Sequence, residues 1–263
     1  MAKESKQEYV EMTGILGNAD DYHVYHMKKE DYLVAYALGL FIGVIVIYTF
    51  FRTILLSIIG GVLCAWKAPG FYNTYKKEQR VKNLRGQFKD LLESLASSYS
   101  AGQNTTNAFS DARNDMISIY GEEADIVKEV QIICTGLTNN LNIEQLLLDF
   151  AKRCELDDVM SFANVFEVCN RQGGDLRKIV SDTRDIINDK IEIEMEIDTM
   201  LSGNKNELNI MMVMPLVIVL SLSSMGTMTI VSNTPINIVI KFVCLAIFGA
   251  AYFIGRKIVD IKI

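Results

Sequence analysis

Proline and histidine are both scarce, with three and two in 263 residues. Few prolines leave long stretches free to be helical. Few histidines leave general acid–base catalysis and metal binding short of candidates. An excess of basic charge is missing too: the net charge of −6 argues against a nucleic-acid partner. The five cysteines (Cys64, Cys134, Cys154, Cys169 and Cys244) form no CxxC pair and are odd in number, the pattern of small core residues in a reducing compartment. The chain has no P-loop, no GxGxxG after a strand, no HExxH and no GxSxG. The acidic groups Glu122-Glu123, Asp157-Asp158 and Glu192, Glu194 and Glu196 read as solvated helix faces. The expectation is a protein that is not an enzyme and uses no cofactor or metal. Residues 1–31 lack the basic n-region and apolar core of a cleavable signal peptide, so membrane segments are expected to direct insertion themselves.

What the chain has in quantity is apolar sequence: 50% of residues are hydrophobic. These concentrate near 33–66 and 210–255, and the stretch between resembles an ordinary soluble helical protein. Residues 33–51 are almost wholly apolar, Arg52 interrupts, and 53–66 are apolar again. Two readings stand, a hairpin turning near Phe51, Arg52 and Thr53 or one long tilted helix. The hairpin is preferred, because roughly 34 apolar residues exceed one bilayer crossing. Ala35, Gly39 and Gly43 recur every fourth residue, as do Ser57, Gly61 and Ala65, a spacing of small side chains that lets helices approach closely in lipid. Pro69-Gly70 is expected to end the span. The basic run Lys67, Lys76, Lys77, Arg80, Lys82, Arg85 and Lys89 marks the cytoplasmic side and a face able to touch anionic lipid. The second apolar region reads as spans over 210–231, with Pro215 a kink, and 236–255, joined by Ser232, Asn233, Thr234 and Pro235. Lys28-Lys29, the run after Trp66, and Arg256, Lys257 and Lys262 all fall on the inner side; Arg52 and Lys241 are the two exceptions.

The middle of the chain carries helical periodicity. Phe88, Leu91, Leu92, Leu95 and Tyr99 line one face. Asn104 to Thr106 offer an N-cap for Ala108, Phe109, Ala112 and Met116. After Gly121 come Ile126, Val127, Val130, Ile133, Cys134 and Leu137. After an Asn139-Asn140 turn come Ile143, Leu146, Leu147, Phe150 and Ala151. Asp157 or Asp158 is expected to cap a helix through Val159, Phe162, Ala163 and Phe166. Between the last two helices stands Arg171, Gln172, Gly173, Gly174, Asp175 and Leu176, where two glycines end one helix and Asp175 caps the next. Residues 191–197 alternate as a strand would, yet read as helix because no partner strand exists and Glu suits helices. In the N-terminal arm, Gly14, Gly17, Asn18 and Asp20-Asp21 interrupt any helix. His23 and His26 are spaced for one helix face but lack further ligands, so the arm reads as a surface segment.

The expected fold is an all-α membrane protein, with a cytoplasmic antiparallel bundle of about six helices between two transmembrane helical hairpins. The expected segments are a polar cytoplasmic arm over 1–32, a hairpin over 33–68, the helical domain over 69–208, a second hairpin over 209–255 and a cytoplasmic tail over 256–263.

In order, these features resemble the type II secretion F family, the inner-membrane platform proteins of secretion systems and pili. Arg85-Gly86-Gln87-Phe88 with Leu91-Leu92, Leu95 and Ala101-Gly102 resembles the family's opening helix and turn, and Ala108 falls in the expected second helix. Leu146-Leu147 with Phe150-Ala151-Lys152-Arg153 resembles the helix before the acidic step at Asp157-Asp158. Arg171 to Leu176 resembles the family's Gly-Gly-x-Leu turn, and Met214-Pro215 the proline of the next span. One copy of the helical block between two hairpins is most similar to the tight-adherence (Tad) pilus assembly proteins; Asn139-Asn140 departs from an expected glycine turn, which Asn tolerates.

The resemblance implies a scaffold that couples a cytoplasmic hexameric secretion ATPase to extraction and assembly of pilin subunits in the inner membrane. Its implied partners are that ATPase, a second platform protein or further copies of itself, pilin subunits and membrane lipid, with no nucleic acid. The turn formed by Arg171, Gln172, Gly173, Gly174 and Asp175 is read first as setting an interhelical angle and second as part of an ATPase-facing surface. Ala35, Gly39, Gly43, Ser57, Gly61, Ala65 and Pro215 are the candidates for membrane-helix packing. The alternatives are a small transporter or channel, which would need ionisable groups deep in its spans, and a membrane signalling scaffold, which would need a heptad seam.

Overall fold

The computed structural model describes residues 11–17, 19–51, 53–224, 239–240, 243–244, 246–251 and 254–255, with residues 252–253 outside that set. Among the described residues there is no strand. The helices are α1 (Lys29–Phe51), α2 (Ile54–Ser100), α3 (Thr105–Tyr120), α4 (Asp125–Thr138), α5 (Ile143–Cys154), α6 (Asp157–Gln172) and α7 (Leu176–Ser224). The alternating stretch 191–197 is helical, inside α7.

The chain divides into two compact units. The first takes the described part of Met1–His26 with Thr74–Ile191; the second takes Met27–Asn73 with the described part of Glu192–Ile263. In the first unit, helix ends follow from local chemistry. The Asn104 side chain accepts the Asn107 N–H at 2.8 Å and starts α3. Gly121, at φ 82°, closes it. Asn140, at φ 58°, makes the left-handed turn after α4 without glycine. Asp157 and Asp158 do not cap α6. Leu156 holds the cap position, and both acids lie in the first turn, where negative charge is favoured.

One core joins this unit. Leu84, Phe88, Leu91, Leu92 and Leu95 of α2 face Phe109 and Met116 of α3, Ile126, Val130 and Ile133 of α4, and Leu146, Leu147 and Phe150 of α5. Phe162 and Phe166 of α6 and Val180 and Ile187 of α7 complete it. The Phe88 ring meets Phe162 edge-on at 5.7 Å and Phe150 at 6.2 Å. At Gly136 a β-carbon would come within 2.6 Å of Leu146, so glycine sets the approach of α4 to α5.

In the second unit α1 packs along the start of α2. A β-carbon on Gly39 would meet Ala68 at 2.5 Å, one on Gly43 would meet Cys64 at 2.9 Å, and one on Gly60 would overlap Ile47. Positions falling on α2 as they rise on α1 mean that the two helices run in opposite senses. The break between them, from Phe51 to Ile54, lies where the sequence suggested a turn; Arg52 itself is outside the described residues. Both helices are long and apolar enough to cross a membrane, and only 17% of each apolar window is buried, which separates them from the core helices of a soluble protein.

Pro69-Gly70 does not end the helix. α2 continues through both to Ser100. Proline lacks the N–H that would bond the Ala65 carbonyl, yet the helical backbone continues on both sides of it. The expected second hairpin extends beyond what is described. α7 is seen to Ser224, while the turn at Ser232 to Pro235, Lys241, Arg256, Lys257 and Lys262 are outside the described residues.

Candidate functional site

The turn from Arg171 to Asp175 has the form its sequence requires. Gly173 sits in the left-handed region at φ 70°, and the Gly174 N–H returns to the Cys169 carbonyl at 2.8 Å. Asp175 Oδ1 accepts the Arg177 N–H at 3.1 Å and so starts α7. All five positions, Arg171, Gln172, Gly173, Gly174 and Asp175, are exposed. Arg171 pairs with Glu167 at 2.9 Å within its own helix. The turn sets a helix end and presents a polar surface.

Of the packing candidates, Ala35, Ser57 and Ala65 are buried, and Gly39, Gly43 and Gly61 lie at the α1–α2 contact. The Ser57 hydroxyl donates to the Thr53 carbonyl at 2.9 Å, which satisfies it inside an apolar surface. Pro215 is internal to α7 and exposed. A shallow apolar groove lined by Tyr36, Leu40, Val62 and Trp66 runs along the α1–α2 pair.

The densest polar constellation lies elsewhere, in the first unit. Arg153 of α5 and Glu129 of α4 are each 1% exposed and form a two-pronged pair at 2.7 and 2.6 Å. Arg153 Nε also donates to Asp149 at 3.0 Å and its Nη1 to the Asp20 carbonyl at 2.9 Å. Tyr22 inserts its ring from the arm, and its hydroxyl donates to Glu129 at 3.0 Å. The Arg80 guanidinium lies over that ring at 4.6 Å and pairs with Asp125 at 2.6 Å and Asp20 at 2.7 Å.

Electrostatics follow from burial. Removal from water, then the neighbouring Glu129, push the Tyr22 phenol well above its ordinary range, so it remains a donor. Burial pushes the Glu129 carboxyl up, against the pull of Arg153 and Tyr22. Burial alone would lower Arg153; the Glu129 and Asp149 carboxylates outweigh it and hold the guanidinium charged. The adjacent Cys154 thiol is pushed up to about 12, chiefly by burial, which makes it a poor nucleophile. With its charges paired and the Glu129–Arg153 centre buried, the constellation is suited to fastening segments together.

His23 and His26 do not share a helix face, because residues 21–28 are not helical. His23 lies between Asp21 at 2.9 Å and Glu155 at 2.7 Å, and His26 meets Glu11 at 2.8 Å. Among the described residues no group of three or more His, Cys, Asp or Glu side chains is placed to hold a metal ion. The basic run after the first apolar region is largely occupied internally. Lys77 pairs with Glu155, Arg80 with Asp125, Arg85 with Asp158 and Lys89 with Asp90. Asp158, read from sequence as solvated, is nearly buried and bridges Arg85 of α2 at 2.8 Å to Lys190 of α7 at 2.6 Å.

Glu129 and Arg153 were legible in principle. Glu129 falls three residues after Ile126 and four before Ile133, on the buried stripe of α4. Arg153 falls three after Phe150 on that of α5. Charged residues on the apolar faces of two consecutive helices are the signal of a buried pair.

No family model matches this chain, and neither a curated protein nor a solved structure matches it. Its function is therefore argued from its own residues.

Proposed function

We propose that the chain is an inner-membrane platform protein of a Tad-type pilus or a type II secretion-like machine. In this reading it couples a cytoplasmic hexameric ATPase to the extraction and assembly of pilin subunits. The observation that carries the proposal is the continuity of two helices. α2 joins an apolar segment able to cross a membrane to the helical core, and α7 leads from that core into the apolar stretch that begins at Ile210. A helix without a break transmits displacement along its axis better than a jointed loop.

The remaining features are compatible with such a part. In this reading the α1–α2 pair is a transmembrane hairpin with both ends on the cytoplasmic side, and the apolar sequence after 209 would supply a second. The six helical segments of the first unit form the cytoplasmic bundle. Asp158 ties α2 and α7 together within that unit, so a load applied to α6 would reach both. The exposed Gly173-Gly174 turn offers a polar surface for the ATPase. The apolar groove along α1 and α2 faces lipid and the apolar helices of partner subunits.

The test is purification of the tagged full chain from native membranes in mild detergent, followed by identification of its companions by mass spectrometry. Recovery of a hexameric secretion ATPase together with a second platform protein supports the proposal. Absence of both, under extraction shown to preserve other inner-membrane complexes, overturns it.

A further inference from the structure

The segment before α1 is folded onto itself and then onto the first unit. Asp21 is its centre: one carboxylate oxygen accepts the Met12 N–H at 2.8 Å and the other accepts the His23 N–H at 2.9 Å. The Gly17 N–H returns to the Gly14 carbonyl and the Ala19 N–H to the Thr13 carbonyl, both at 3.1 Å. Gly14, at φ 71°, lies so close to Ala19 and Asp149 that a β-carbon would be 2.7 and 3.0 Å from them. Its described residues are thus a preformed loop, although none of them is helical.

Its attachment differs in kind from the packing of the helices. Tyr22 is the arm's contribution to the buried hydrophobic core. The attachment also includes polar contacts: Tyr22 N–H to the Arg153 carbonyl at 3.0 Å, Arg153 to the Asp20 carbonyl at 2.9 Å, Arg80 to Asp20 at 2.7 Å, and His23 to Glu155 at 2.7 Å. Water can replace each of these bonds when the segment leaves, so their net hold is modest. Both partners of the Glu129–Arg153 pair belong to helices, so neither partner is supplied by the arm. Phe88, Phe150 and Phe162 also pack on one another, with Phe88 meeting both other rings.

We infer that the described residues 12–17 and 19–26 are a detachable strap, fastened by Tyr22 into the Glu129–Arg153–Arg80 socket, which opens and closes as one piece while the helical core stays folded. The strap runs through Met27 and Lys28 directly into α1. The device needs no ligand, and its existence does not depend on the proposed partners.

Amide hydrogen exchange on the full chain in detergent tests the strap directly, because the Tyr22 N–H is itself a closing bond. In the wild type, the amides of Ala19 and Tyr22 are expected to exchange at least about tenfold faster than those of Val130 and Phe150, as local opening precedes global unfolding. Tyr22→Ala should speed the strap amides by a further factor of about ten or more and leave Val130 and Phe150 unchanged. If Tyr22→Ala fails to fold, Asp20→Asn, which weakens the arm's own ion pair with Arg80 and leaves the Arg80–Asp125 pair of the helices in place, is expected to give the same selective effect. Strap and core amides exchanging at one rate in the wild type would overturn the inference. So would variants that accelerate both sets equally, since the arm would then be an inseparable part of the core.

Discussion

Asp158 accepts a hydrogen bond from Arg85 Nε at 2.8 Å, and this nearly buried pair joins the first turn of α6 to the middle of α2. The same carboxylate receives Lys190 of α7 at 2.6 Å, but from a side chain that is half exposed. The two ion pairs should therefore be unequal. A double-mutant cycle between Asp158→Asn and Arg85→Gln is expected to give a coupling of about 1–2 kcal/mol. The cycle with Lys190→Gln should give less than about 1 kcal/mol, as for exposed pairs. Denaturant unfolding of the detergent-solubilised chain measures both. Equal couplings would show that the difference in burial does not govern this clamp.

The buried pair of Glu129 and Arg153 should respond more sharply. Arg153→Met strands a carboxylate among apolar groups and is expected to cost about 3–5 kcal/mol. Combining it with Glu129→Leu removes the stranded charge and should return much of that loss. The readout is again unfolding midpoint and slope. A double variant as unstable as Arg153→Met alone would mean that packing around the guanidinium, with its bonds to Asp149 and the Asp20 carbonyl, outweighs the charge.

The apolar stripes of α2 through α6 were legible residue by residue, because a helix repeats its buried face every three to four positions and Phe88, Phe109, Leu147 and Phe162 obey that period. So was the Gly173 turn, whose left-handed backbone selects glycine. Three features escaped. The arm shows no period, since its loop is built around the single carboxylate of Asp21. Asp158 shows itself as a clamp only when Arg85, 73 residues away, is brought beside it. Pro69-Gly70 carries a strong stop signal that the long helix overrides.

Tyr120 gives a pH signature. Its hydroxyl donates to Asp90, and burial followed by that carboxylate pushes its ionisation up to about 12. A raised value favours the neutral phenol, so the associated stability is fully present below pH of about 10 and is lost as pH climbs through about 12. Difference absorbance titration of the wild type against Tyr120→Phe isolates this group. A tyrosinate signal from Tyr120 near pH of about 10 would refute the hydrogen bond. Tyr22 should ionise only when the unit unfolds, because burial and Glu129 oppose its charge.

Glycines in the α1–α2 pair should divide sharply by surroundings. A β-carbon on Gly70 would have nothing within 4 Å, and the residue is helical, so Gly70→Ala is expected to stabilise by up to about 1 kcal/mol. Gly43 is opposed by Cys64 at 2.9 Å and by the Gly61 backbone at 3.0 Å. Gly43→Leu should drive α1 from α2, losing the close packing on which small residues depend in an apolar medium. Gly43→Cys offers a geometric check, because its β-carbon would stand 2.9 Å from that of Cys64, closer than the roughly 3.5–4.5 Å of a disulfide, so a slight parting of the helices lets the two thiols join. Mild oxidation of that variant in membranes should consume both thiols within a single chain, and the same treatment of Gly70→Cys should not. If thiol titration shows the introduced cysteine of Gly43→Cys left unpaired with Cys64, as inert as that of Gly70→Cys, the two helices do not pack in this register.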